Sequence, residues 1–249
     1  MSFPKTIGGS YGWEKQTTAA QRLPLGTEMA FADGRKFRYV ENGGTAIEEG
    51  KVVASEAVAG NHDEDLAVAT TAAGSKTLTV TLGATAAAKN LYAEGFVFMN
   101  LPTIATTGGS RPMYKIRSHP QADGSATLKL TLDEDDGLVV AVTNGTETAG
   151  LIKSPYKDIV VAPAAVAGRF VGVAPITIAA SYYGWVQVAG LAAAAVDGTP
   201  AVGTLVGASG THAGSLVAVA ADATPALGRL HGKAGVNDEY HTVMLQNLY

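Results

Sequence analysis

Two seven-residue stretches constrain this chain most. Residues 76–82 (KTLTVTL) and 126–132 (ATLKLTL) alternate apolar and polar side chains with a period of two. Leu128, Leu130 and Leu132 fall on one face of such a strand, and Thr127, Lys129 and Thr131 on the other. That period is the signature of a half-buried β-strand, because successive side chains point to opposite faces. Further strands are expected over 36–40, 96–99, 113–117, 138–143, 159–162, 170–178, 182–189, 216–220 and 240–245. Glycine turns punctuate them at Asp33-Gly34, Asn42-Gly43-Gly44, Asp123-Gly124, Asp136-Gly137, Asn144-Gly145 and Asp197-Gly198. Many short strands with close turns predict an all-β protein of sandwich- or barrel-like domains. Helix signals are few. Residues 85–94 (TAAAKNLYAE) carry enough alanine for one short helix, and residues 46–49 for a single turn. No exact internal repeat and no heptad run is visible.

Charge divides the chain. Residues 1–55 hold 13 charged side chains, residues 56–165 hold 20 and residues 166–249 hold 7. Residues 170–196 carry none over 27 positions, a length that could span a bilayer. The glycines, proline and polar residues inside that run point instead to buried β-structure, so no membrane partner is expected. A charge-poor last third predicts surface hidden against the rest of the chain or against other subunits. Four regions follow: an N-terminal arm at 1–22, a hairpin region at 23–55, a middle β domain at 56–165 and a charge-poor β domain at 166–249. The arm lacks periodicity yet carries Phe3, Tyr11 and Trp13. It reads either as a loose tail or as a segment anchored on a partner by those aromatics.

Chemical signatures are sparse. Zero cysteines exclude disulfides, thiolate metal sites and a cysteine nucleophile. A net charge of -4, without a basic cluster, argues against a nucleic-acid partner. Ser209 stands three residues before His212, but triads converge from separate elements and no Gly-x-Ser-x-Gly is present. His62-Asp63-Glu64-Asp65 and Asp133-Glu134-Asp135-Asp136-Gly137 lack the alternate spacing of an EF-hand loop, and the second reads as a charged turn between the strands at 126–132 and 138–143, with incidental surface calcium as the alternative. No phosphate-cradling glycine motif opens a helix. No cofactor and no metal are expected, and an enzyme would have to assemble its site from scattered groups such as His62, His119, His212, His231 and His241. Arg35, Lys36, Phe37, Arg38 and Tyr39 form an amphipathic hairpin strand suited to ion pairs with an acidic surface. Tyr182-Tyr183-Gly184-Trp185 reads as core, with a sugar-stacking face as the functional reading.

The string YYGWVQVAG at 182–190, preceded by Gly172-Val173-Ala174 and followed by Asp197-Gly198, resembles the C-terminal part of head-decoration, or cement, proteins of tailed bacteriophages. Leu25-Gly26-Thr27-Glu28-Met29 and the run from Asp33 to Tyr39 are similar to their N-terminal hairpin. Residues 114–119 (YKIRSH), 154–158 (SPYKD), Leu227-Gly228-Arg229 and the strand at 240–245 share their character. The chain is longer than most such proteins, by its middle domain. The resemblance implies a non-enzymatic virion protein on the capsid outer surface, a homotrimer that cements neighbouring major capsid subunits. It implies capsid contacts through Phe3, Tyr11, Trp13, Arg35, Lys36, Phe37, Arg38 and Tyr39. It implies an oligomer interface at Tyr182, Tyr183, Trp185, Val186 and Val188. The alternative is a receptor- or carbohydrate-binding β module of a head fibre or tail accessory.

Overall fold

The computed structural model describes residues 6–100, 113–133, 135, 137–164, 169–219 and 226–246. The expected all-β class is observed: 42% of the chain is strand and 1% helical. The chain forms two units, one from Met1–Glu56 with Pro155–Tyr249 and one from Ala57–Ser154.

The Ala57–Ser154 unit contains β5 (Leu66–Ala67), β6 (Thr77–Thr81), β7 (Phe96–Asn100), β8 (Tyr114–Ser118), β9 (Thr127–Leu132) and β10 (Thr148–Ile152). They pair antiparallel in the order β5-β10-β7-β8-β9-β6. The two ends meet through a Val68–Val80 bridge, so the sheet nearly closes on itself. The expected alternation holds. Leu128, Leu130 and Leu132 are buried with Leu78 and Val80, while Thr127 and Lys129 face water. The stretch at 138–143 is not a strand. Only Val142 bridges, to Thr71. The expected helix at 85–94 is absent as well. Ala87 bridges Ala122, and Asn90 and Glu94 take left-handed φ of 60° and 62°, which no helix continues through.

The other unit contains β1 (Thr6–Gly8), a 3-10 turn at Trp13–Lys15, β2 (Glu28–Ala30), β3 (Lys36–Glu41), β4 (Val52–Ala54), β11 (Val160–Val161), β12 (Phe170–Val173), β13 (Tyr183–Val196), β14 (Leu205–Ala208), β15 (Leu216–Ala218), β16 (Gly228–Leu230) and β17 (Glu239–Leu245). Strands β13, β15, β14, β16 and β17 pair in that order and β17 returns to β13, closing a five-stranded barrel. Strands β3, β13, β12, β4 and β11 form a second curl, whose ends meet through a parallel Asn42–Ile159 bridge.

Strand β13 belongs to both. Its first part pairs with β3 and its last part, from Gly190, with β17. The change of partner needs a bend, made by a bulge between Gln187 and Ala189 and by Gly190 at φ 84°. A Cβ on Gly190 would fall 2.9 Å from the Arg35 Cα, so only glycine fits. This shared wall explains the uncharged run at 170–196. Val171, Val173, Val186, Val188, Ala194 and Val196 all lie in the interior. The strand expected at 170–178 ends at Val173, and Ile178 instead makes a lone bridge to Ile47.

Among the described residues one local device recurs six times. Ile47 and Ile178, Thr71 and Val142, and Ala87 and Ala122 form lone antiparallel bridges, each with two N–H···O bonds of 2.8–3.0 Å. Three residues after each comes a left-handed residue: Gly50, Ser181, Gly74, Gly145, Asn90 and Ser125. In five of the six copies the next strand starts two or three residues later; after Asn90 it starts at Phe96. The repeat escapes detection in the sequence because only this one position restricts the residue type, and glycine, asparagine and serine all serve there.

Candidate functional site

The residues of the expected hairpin strand and of the expected oligomer interface gather around the β3–β13 pair. Asp33-Gly34 makes the β2–β3 turn, with Gly34 at φ 86° and the Arg35 N–H donating to Asp33 Oδ1 at 3.0 Å. After the turn, β3 alternates as expected. Phe37 and Tyr39 point inward at 0% and 4% exposure, so they are core residues with no surface left for a partner. Lys36 and Arg38 point outward and meet Glu28 of β2, at 4.0 and 3.1 Å. Arg35 pairs with Asp33 at 2.8 Å and lies over the rings of Phe31, Tyr11 and Phe37 at 4.9–5.7 Å. The backbone N–H of Arg35 and its guanidinium hold the Asp33 carboxyl below its usual range. The expected ion pairs of this hairpin are therefore made within the chain. Sequence reading gave two of their acids, Glu28 and Glu14, no role, because a lone glutamate carries no sign of the partner that it meets in space.

Residues 6–22 are not a free arm. Strand β1 pairs parallel with β2, Thr18 bridges Tyr183, and the Arg22 N–H donates to the Tyr39 hydroxyl at 3.1 Å. In the 3-10 turn the Gly12 N–H donates to Glu14 Oε2 at 2.7 Å, and Glu14 is only 4% exposed. That buried carboxylate pins the turn beside Arg35, 3.8 Å away. Tyr11 packs edge-on to Phe31 with centroids 5.3 Å apart. Yet Tyr11 is 70% exposed and Trp13 44%. Two large aromatic rings thus stand in water on a braced turn. Phe3 lies outside the described residues.

The residues expected at an oligomer interface lie across the same strand pair. Trp185 registers with Tyr39 and Gln187 with Phe37. Tyr183 stacks on Tyr39 at 6.1 Å, and Val186 and Val188 are fully buried. Alternation does place Tyr183 and Trp185 on one face, but that face is internal. Trp185, at 6% exposure, offers no stacking platform to a sugar, and Val186 and Val188 face the chain's own core. Tyr182, at 38%, is the member of this set that reaches solvent most.

The polar clusters are structural. Ser209 Oγ donates to Asp197 at 2.5 Å and accepts the N–H groups of Thr211 and His212, both at 3.0 Å. Thr211 Oγ1 also donates to Asp197, and His212 Nδ1 lies 3.0 Å from its other oxygen. The carboxylate sits between serine and histidine, so the histidine has no line to the serine proton and no triad forms. Hydrogen bonds from Ser209, His212 and Thr211 lower the Asp197 carboxyl to about 2, and Asp197 in return raises His212. His62 is fully buried, with Nδ1 2.5 Å from the Tyr92 hydroxyl and Nε2 2.9 Å from the Thr85 carbonyl. His119 accepts the Tyr92 N–H through Nε2. Among the described residues no three His, Asp or Glu side chains group as ligands for a metal ion. Glu134 and Asp136 lie outside those residues.

No protein-family model, curated protein or solved structure matches this chain.

Proposed function

We propose that this protein is a structural component of a bacteriophage virion that binds the capsid outer surface and cements neighbouring major capsid subunits, as a homotrimer and without catalysis. The observation that carries this reading is the aromatic turn. Tyr11 and Trp13 are exposed, yet the backbone beneath them is held by Glu14, Arg35 and β1. Exposed aromatic side chains on a backbone that is already held make good anchors, because less conformational entropy remains to be lost on docking. The closed five-stranded barrel supplies the rigidity that a clamp needs. The sequence resemblance supplies the identity of the partner. Capsid contact is now expected through Tyr11, Trp13 and the outward-facing Lys36, with Phe37 and Tyr39 acting from below as support. The sugar-binding alternative loses its platform with the burial of Trp185.

The test is co-sedimentation with shells assembled from the major capsid protein encoded nearest to this gene. The wild-type protein is expected to pellet with shells at saturable stoichiometry. A Tyr11→Ser/Trp13→Ser double variant is expected to bind at least about 30-fold more weakly, the loss typical of two interface anchors. A folded double variant that binds as the wild type would overturn the assignment of the anchor. Absence of wild-type binding would overturn the capsid reading itself.

A further inference from the structure

Two asparagine-glycine pairs stand in the chain, Asn42-Gly43 and Asn144-Gly145, one in each unit. A glycine after an asparagine permits a reaction that bulkier neighbours hinder: its backbone nitrogen attacks the carbonyl carbon of the asparagine side chain. The reaction needs a carboxamide that can move, a glycine N–H without an acceptor and room for the backbone to rearrange. The two pairs differ in all three respects.

Asn42-Gly43 is locked. Asn42 is 1% exposed, and its Nδ2 donates to the carbonyls of Thr45, Ile178 and Ala179, each at 2.9 Å. The Asn42 N–H donates to the Tyr182 carbonyl at 2.8 Å, and the Gly43 N–H to the Ile159 carbonyl at 3.0 Å. Gly43 is also walled in, since a Cβ there would lie 3.2 Å from the Ile159 oxygen. Attack at this pair would have to break buried hydrogen bonds first.

Asn144-Gly145 is open. Both residues are exposed. The backbone on either side is anchored. The Thr143 N–H donates to Glu147 Oε2 at 2.8 Å, and the Asn144 N–H to Thr70 Oγ1 at 3.1 Å. The N–H groups of Thr146 and Glu147 donate to the Thr143 carbonyl at 3.2 and 3.3 Å. Gly145 is the exception. Its N–H meets no acceptor in hydrogen-bond geometry among the described residues, and the Asn144 carboxamide has no partner among them. Gly145 holds φ 80°, and the space where a Cβ would stand is empty to 4 Å. Nucleophile and electrophile are therefore neighbours in the chain, unbonded and exposed to solvent.

We propose that Asn144 is a site of self-modification, converted without any enzyme to aspartate and isoaspartate. Solvent base removes the Gly145 amide proton, the nitrogen bonds to Asn144 Cγ, and the Cγ–Nδ2 bond breaks with release of ammonia. Water then opens the cyclic imide. Opening at the side-chain carbonyl gives aspartate, and opening at the main-chain carbonyl gives isoaspartate, whose chain runs on through Cβ and Cγ. The isoaspartyl form inserts one extra backbone carbon between Val142 and Gly145. Val142 makes the lone bridge to Thr71 through two N–H···O bonds of 2.8 Å, and the left-handed Gly145 stands three positions after it. The extra carbon breaks that spacing and loosens the bridge. None of this depends on the capsid reading.

The test is ageing of the whole protein at mildly alkaline pH, folded and in guanidinium chloride, followed by digestion and mass spectrometry of the peptides that hold residues 42 and 144. In the folded protein the mass change of amide to acid is expected at Asn144 at least about 30-fold faster than at Asn42, which must first break several hydrogen bonds. In guanidinium the two rates are expected to agree within about threefold, because only the fold separates the sites. Isoaspartyl methyltransferase is expected to label aged wild type and to leave aged Asn144→Gln at background, since the longer side chain does not close the same ring. Hydrogen exchange at the Thr71 and Val142 amides is expected to be faster in aged wild type than in aged Asn144→Gln. Equal rates at the two sites in the folded protein, or a folded rate at Asn144 more than about 10-fold below its rate in guanidinium, would overturn the proposal. Conversion without faster exchange would overturn the loosening of the bridge.

Discussion

Trp185 of β13 and Tyr39 of β3 face each other across one strand pair, ring centroids 5.1 Å apart and planes inclined by 63°. They are 146 positions apart in the chain, and the whole Ala57–Ser154 unit is inserted between them. With Met29, Phe31 and Phe37 they form a separate aromatic core, covered by Ile7, Leu23, Leu25 and Tyr183. The N-terminal segment is the lid of that core, which is why its aromatic residues do not read as a tail.

The first prediction concerns this pair. Trp185→Ala removes a nearly complete indole from a closed core and leaves a cavity that the flanking strands cannot collapse into. Truncations of this kind cost about 3–5 kcal/mol. Urea denaturation followed by tyrosine fluorescence is expected to show an earlier midpoint. Tyr39→Phe keeps the ring and loses the hydroxyl that accepts the Arg22 N–H, at an expected cost of about 1 kcal/mol.

The lid makes a second prediction. A protein lacking residues 1–22 loses β1, the Thr18–Tyr183 bridge and the cover over Met29 and Tyr39. Enhanced binding of a hydrophobic dye and a melting temperature lower by several degrees are expected, consistent with a loss of about 2–4 kcal/mol. A truncated protein as stable as the full chain would show that the segment is a dispensable arm.

In the other unit, Tyr92→Phe tests the buried histidine. Tyr92 is 1% exposed and its hydroxyl lies 2.5 Å from His62 Nδ1. The His62 Nε2–H donates to the Thr85 carbonyl, so Nδ1 is the acceptor and the tyrosine the donor. The variant leaves Nδ1 buried without a partner. A loss of about 1–3 kcal/mol is expected by chemical denaturation.

The Asp197–His212 pair predicts a pH window. The folded Asp197 carboxyl lies near 2 against an ordinary 3.8, so its contribution is complete above about 4 and is lost as pH falls towards 2. His212 is raised above its ordinary 6.5, so its contribution is complete below that value and is lost as pH rises through the folded value. The pair therefore stabilises most between about pH 4 and 6.5. The difference in melting temperature between the wild type and Asp197→Asn is expected to be largest there and to shrink on both sides. A difference that does not vary with pH would show that the hydroxyl contacts alone carry the effect.

Much of the fold was legible because period-two alternation acts locally. The inward faces of β3, β6 and β9 follow directly from Phe37 and Tyr39, Leu78 and Val80, and Leu128 to Leu132. The site was legible only in part. Alternation told which residues share a face, and the reading of the row at 182–185 as core agrees with Trp185 at 6% exposure, whereas the interface expected there from the resemblance had no local signal. Glu14 gave no signal, since its role depends on Gly12 and Arg35 meeting it in space. The helix expected at 85–94 failed because alanine propensity is worth only tenths of a kcal/mol per residue and the Ala87–Ala122 bridge outweighs it.

The recurring bridge-and-turn device supplies the last prediction. Each copy needs a left-handed residue three positions after its bridge, and the cost of that conformation depends on the residue placed there. At Gly145, φ is 80° and a Cβ would meet nothing within 4 Å, so Gly145→Ala probes backbone strain without steric conflict. A loss of about 1 kcal/mol is expected. Ser125 holds the equivalent position with φ 61°, and its side chain already bears that strain. Ser125→Gly exchanges relief of strain against greater freedom of the unfolded chain, so a gain below about 1 kcal/mol is expected. The opposite signs at equivalent positions follow from one geometry, and thermal denaturation of the two variants side by side measures both. If Gly145→Ala proved neutral, the left-handed turn would relax when substituted, and the six copies would share a path of the chain but not a common constraint.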